Sequence, residues 1–181
     1  MANSASIKDK VLVLFRDKKV MTLAQLALHL QRSQRTVHRQ LKQWRAFNSY
    51  NKNGRYYVLS DIPKFDSNGL WRWRDIFFSI FGNLTQTLIA LVRNSKAGLN
   101  AAEMTELLGL SPRSFLSSFR EHPDLKRQKH QGCFVYFSSN RTIYEQQKKT
   151  TFGNNPQSKT SIWHRSDRPS RGDDQTPGIK H

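Results

Sequence analysis

The sequence predicts an α+β fold, mainly α: two tandem copies of one small unit, followed by a disordered C-terminal tail. Three observations carry this. Residues 21–60 fall on residues 99–138 at a constant shift of 78 residues. The two copies share their helix caps and turn residues as well as their apolar positions. The composition changes near Thr151 to Ser, Thr, Pro, Gly and charge without any period, the signature of a segment that cannot bury a core.

The match between copies is specific. Thr22 falls on Asn100, Gln25 on Glu103, Leu30 on Leu108, Ser33 on Ser111, Arg35 on Arg113, Val37 on Phe115, Leu41 on Phe119 and Gly54 on Gly132. Just upstream, with a one-residue slip, Val11–Arg16 falls on Leu88–Arg93. The period is too long for a solenoid repeat, so each copy is read as a small domain.

Each copy opens on an apolar helix, about Ile7 to Asp17 and about Leu84 to Asn94. A capping box follows, Thr22 with Gln25 and Asn100 with Glu103, in which cap and third residue satisfy each other's backbone N–H. It starts a short helix, Leu23 to Leu30 or Ala101 to Leu108. After a tight turn, Ser33 or Ser111 caps a third helix, Gln34 to Gln43 or Pro112 to Glu121. Pro112 at the first helical position loses no hydrogen bond. Two alternating strands close each unit. Asn53-Gly54 is a strong hairpin turn in the first copy, and Gln131-Gly132 a weaker one in the second.

Three helices and a β-hairpin in this order describe a winged helix-turn-helix. The stretch "MTLAQLALHLQRSQRTVHRQL" also resembles the helix-turn-helix segment of DeoR-type bacterial repressors, with its Leu-Ala repeat, then Ser, Arg-Thr-Val and Arg-x-Leu. The resemblance covers about Ile7 to Leu59, and the second copy follows the same pattern more weakly. Nothing after the second hairpin resembles an effector domain of those repressors. The predicted domains are 1–62 and 84–150, joined by an apolar and aromatic linker strand, 63–83, with a disordered basic tail, 151–181.

Charge points to the partner. The chain carries 30 Lys+Arg against 13 Asp+Glu, a net charge of +17. Residues 1–60 alone hold 12 of the basic residues and 2 of the acids. Such an excess suits a polyanion, and double-stranded DNA is the expected partner. In the fold that the resemblance implies, the third helix enters the major groove. Gln34, Arg35, His38 and Arg39 are then the candidate base contacts, since Arg forks onto guanine and Gln onto adenine. Thr22, Ser33, Thr36, Lys42, Lys52, Asn53 and Arg55 are the candidate backbone contacts. Capping alone explains Ser33 and Thr36 equally well.

The second copy offers Arg113, Ser117 and Arg120 on its third helix and Lys126, Arg127, Lys129 and His130 on its hairpin. Glu103, Glu106 and Glu121 lie among them. Two readings stay open for this unit: a weaker, hairpin-led DNA contact, or a surface for a protein partner or a homodimer. In the linker, Trp71 and Trp73 alternate with Arg72 and Arg74, a strand period. Packing between the domains is the favoured account of these aromatics, and a stacking platform for single strands the other. A rigid linker would hold the two units at one spacing on a duplex.

Other classes find no support. There is no phosphate-cradling glycine motif, the 6 histidines are scattered, and no metal or cofactor is expected. An enzyme is not expected either. The longest apolar run, Leu88 to Val92, is far short of the ~20 residues of a membrane span. With 1 cysteine and no signal-peptide layout, a cytoplasmic, nucleoid-associated protein is expected, acting as a transcriptional regulator. Accessory factors of mobile elements or plasmids (transposition or replication) and protein-interaction modules are the alternatives. Cys133, at the start of a strand, is expected to be half-buried.

Overall fold

The computed structural model describes residues 3–110 and 115–153. It is a mixed α+β protein of helices and small antiparallel sheets. Helix α1 (Asn3–Lys18) leads into the two-residue strand β1 (Met21–Thr22), then α2 (Leu23–Leu30) and α3 (Gln34–Gln43). Both expected caps are present: Thr22 and Gln25 form a full capping box, and the Ser33 hydroxyl accepts from Thr36 N. Strands β2 (Phe47–Asn48) and β3 (Tyr56–Val58) complete a sheet of order β1-β3-β2. Val11, Phe15, Met21, Leu26, Val37, Leu41 and Leu59 form its buried core. Each such side chain contributes about 1.5–3 kcal/mol on leaving water.

The second copy repeats the order with α4 (Leu84–Asn94), β6 (Leu99–Asn100) and α5 (Ala101–Leu108). Asn100 and Glu103 form the second capping box. Strands β7 (Leu125–His130) and β8 (Cys133–Ser138) then give the sheet β6-β8-β7.

Several expectations need correction. The linker holds a two-stranded hairpin rather than one strand, β4 (Leu70–Trp73) against β5 (Ile76–Ser79), turning at Arg74-Asp75. The tight two-residue turn belongs to the hairpin of the second copy, where Gln131 and Gly132 both have positive φ (46° and 82°) between His130 and its partner Cys133. In the first wing Asn53-Gly54 sits inside a longer loop, Ser49 to Arg55, which departs toward β5. The third helix of the second copy does not run regularly through its described part: Leu116–Phe119 is 3-10. Ser111, Pro112 and Arg113 lie outside the described residues.

The repeat also slips. Met21 pairs with Tyr57, but Leu99 pairs with Tyr136 rather than Val135; Phe47 pairs with Val58, and Lys126 with Phe137. The wing strands of the second copy stand one residue further on than the helices do. A one-residue slip exchanges the faces of a strand. Hence Tyr136 joins the helical core, while Val135 and Phe137 turn to the other face.

That other face is covered by a helix that the sequence reading missed, α6 (Arg141–Phe152), which carries order past the expected start of the tail at 151. The remaining tail, 154–181, lies outside the described residues. Asn140 caps α6, accepting from Ile143 N. The fully buried Gln147 docks it: its Oε1 accepts from Ser138 N (2.9 Å), and its Nε2 donates to the carbonyls of Val92 (2.6 Å) and Ser95 (2.9 Å). Thr151 donates to the Ala97 carbonyl.

Candidate nucleic-acid interface

On α3 the apolar residues Val37 and Leu41 are buried, Arg35, Arg39 and Lys42 are exposed on the faces turned away from them, and Gln34 is exposed at the first turn on the same stripe as Val37 and Leu41. No acid occurs on α2 or α3. His38 differs from its neighbours: it is half-buried, its ring edge-on to Tyr57 of β3 at 6.2 Å. It therefore reaches the surface from a fixed position, while the two arginines keep their freedom.

The hydroxyls named as backbone contacts are engaged in capping. Thr22 Oγ1 accepts from Gln25 N (3.3 Å), and Ser33 Oγ accepts from Thr36 N (3.2 Å) with the Thr36 hydroxyl 2.9 Å away. In the first wing Asn53 and Arg55 are exposed, and Lys52 is held by Asp75 at the hairpin turn, Nζ to Oδ2 2.6 Å. The hydrogen bond and charge of Asp75 raise the Lys52 ammonium above its usual pKa, and Lys52 lowers the Asp75 carboxyl in return. Both groups are exposed, so the pair is worth little to folding.

The loop between β2 and β3 is anchored rather than projecting. Tyr50 N donates to Phe77 O (2.9 Å), Asn51 Nδ2 to Asp75 O (2.7 Å), and Phe77 N to Asn51 Oδ1 (3.0 Å). The Tyr50 ring is buried in the core of the second copy, and its hydroxyl donates to Leu108 O at 2.8 Å. Burial pushes the Tyr50 phenol up to about 12, against the lowering effect of Arg72. Arg72 itself donates through Nη2 to Glu106 O (3.1 Å) and Leu107 O (2.8 Å) at the end of α5. The linker hairpin thus joins the two copies into one packed body; of the residues expected to pack there, Phe78 is buried and Phe77 lies against the core of the second copy, while Trp71, Trp73 and Ile76 are half-buried.

The basic residues of the second copy are divided between two faces. Lys126 lies over the Tyr144 ring (4.5 Å) and His130 meets Phe152 edge-on (4.7 Å), both against α6. Arg127 covers the exposed Phe134 at 4.0 Å, and Lys129 pairs across from Phe134 and is exposed. Ser117 and Arg120 are exposed, Arg113 lies outside the described residues, and Glu103 and Glu106 are exposed on α5. Cys133 is exposed rather than half-buried.

Sequence reasoning did not single out Asp75 as a partner for Lys52, or the cleft beside it. That cleft, about 460 Å³, lies between the end of α1 and the hairpin and is lined by Lys18, Tyr56, Trp73 and Arg74 among others. The Trp-Arg alternation was the available signal. The approach of α1 and β3 was not readable locally. Among the described residues no three His, Cys, Asp or Glu side chains gather to hold a metal ion, and no helix is long and apolar enough to cross a membrane. No known protein family matches the chain, and neither does any curated protein or solved structure.

Proposed function

We propose that the chain, built of two tandem winged helix-turn-helix units, binds double-stranded DNA through the first of them and acts as a sequence-specific transcriptional regulator. One observation carries the reading: α3 presents Arg35, Arg39 and Lys42 to solvent from a helix whose other side is fixed by Val37 and Leu41, with Gln34 exposed at its first turn. A helix so held places forked donors where a major groove can receive them. The regulatory role rests on the resemblance of residues 7–59 to DeoR-type repressors.

The second unit supports a different use. Lys126 and His130 of its hairpin lie against α6, its α5 surface carries Glu103 and Glu106, and the end of α5 is occupied by Arg72. A protein partner or a second copy suits such a surface better than phosphates do.

The test is selection of bound duplexes from a random pool, followed by binding of the selected site over a salt series. Arg35→Ala with Arg39→Ala is expected to abolish discrimination between selected and random duplex, about 1–3 kcal/mol for each lost bidentate contact. A folded double mutant that still prefers the selected site would refute the assignment of α3.

A further inference from the structure

We propose that the cleft between the end of α1 and the linker hairpin is a binding site for unpaired nucleotides, a single-stranded DNA segment adjoining the duplex. The proposal adds a second mode of contact to the duplex binding proposed above. It starts from how the hairpin divides its side chains.

Strand β4 alternates. Leu70 and Arg72 face the second copy, where Leu70 enters the core and Arg72 caps α5. Trp71 and Trp73 face the other way and are only half-buried. Their rings lie nearly parallel, 19° apart with centroids at 6.2 Å, and Trp71 rests on the buried Phe78. Packing therefore consumes one side of this aromatic pair and leaves the other accessible. Trp73 ends in the open cleft, whose walls are Asp17, Lys18 and Val20 of the first copy, Tyr56 of β3, and Arg74, Asp75 and Ile76 of the hairpin. A volume of about 460 Å³ falls in the ordinary range of small-ligand sites.

The chemistry of the walls selects the ligand. Trp73 and Tyr56 supply flat apolar surfaces, on which any base can stack. Arg74 is exposed at the hairpin turn and offers a guanidinium to phosphate. Lys18 adds a second ammonium, 3.1 Å from His29 Nε2. Of the two acids present, Asp75 is neutralised by Lys52 at 2.6 Å. Asp17 remains as an acceptor for a ring N–H such as N3–H of thymine. Arg55 directly precedes Tyr56, so a strand leaving a duplex held at Arg55 has the cleft beside it.

The experiment compares three fluorescent probes at one salt concentration: a blunt duplex, the same duplex with a short unpaired oligothymidine extension, and oligothymidine alone. Stacking of one base predicts at least about fivefold tighter binding of the extended duplex than of the blunt one. Trp73→Ala should remove that gain while Trp73→Phe keeps most of it, with far-UV circular dichroism confirming that each variant is folded. Arg74→Gly suits the positive φ of 56° at that turn, so it leaves the fold in place; it should reduce the gain and weaken its salt dependence. Equal binding of blunt and extended duplexes together with no binding of oligothymidine overturns the proposal. So does a folded Trp73→Ala variant that retains the gain. If oligothymidine binds in a Trp73-dependent way while blunt duplex does not, the cleft assignment stands and the duplex reading fails.

Discussion

Lys52 illustrates what a single residue gains from its surroundings. By sequence it was a wing cation directed at phosphate; in the fold it is shared with Asp75. DNA must compete for it, so the acid acts as an internal stand-in for phosphate. Asp75→Asn is expected to tighten binding to random duplex a few-fold and steepen the salt dependence. Lys52→Ala should weaken all sequences alike and flatten the slope by about one counterion. A fluorescence titration over salt reads both, and an unchanged Asp75→Asn would mean that the pair contributes nothing in the complex. The residues of α3 were legible from sequence because their placement needs only a local cap and two apolar positions. The Lys52–Asp75 pair was not, since it spans separate elements and leaves no periodic trace.

At the level of elements, α2, α3 and α5 were legible because an apolar stripe and a cap coincided, whereas the third helix of the second copy, expected from the same signals, is 3-10 over Leu116–Phe119. α6 escaped because Tyr144 and Phe152 are the aromatics it packs on Val135 and Phe137, and between them its docking rests on Gln147 and Thr151, which bind by hydrogen bonds instead of adding to a stripe. The two wings reversed expectation for a related reason. Asn-Gly favours a tight turn locally, but Tyr50 and Asn51 bind more strongly elsewhere and draw the loop open. The ends of α2 and α5 give a direct test of local strain. Gln31 closes α2 in the left-handed region (φ 50°), and its equivalent Gly109 closes α5 with φ 67°. Gly relieves that conformation in the first copy, so Gln31→Gly should stabilise by about 0.5–1 kcal/mol. A Cβ on Gly109 would stand 3.2 Å from both Arg72 Cζ and Phe77. Gly109→Ala should therefore destabilise by about 1–2 kcal/mol. Urea midpoints at constant slope check both, and loss of stability in Gln31→Gly would show that the Gln31 side chain is needed where it stands.

Across the whole molecule, the duplicated plan was legible and the way the copies join was not. A constant shift finds equivalent residues but is silent on which of them cross over, and Tyr50 crosses over into the core of the second copy. Its phenol, pushed up to about 12 by burial, stays protonated in the fold after an unfolded tyrosine has ionised near pH 10. The raised value means that its contribution is complete below pH 10 and is lost as pH climbs toward 12, by about 2–3 kcal/mol at the limit. Tyr50→Phe should cost about 1 kcal/mol at neutral pH through the lost hydrogen bond to Leu108. Between pH 10 and 12 the gap between variant and wild type should narrow and reverse. Thermal melts across that range decide it, and parallel curves would place the hydroxyl in water. The crossing of Tyr50 also changes what counts as a half of this protein. A cut at residue 62 follows the duplication, yet it leaves the first half with a bare phenol and strips the second of part of its interior. The repeat divides the chain into two like pieces; the seam between them runs through the first piece, not along the boundary that the repeat marks.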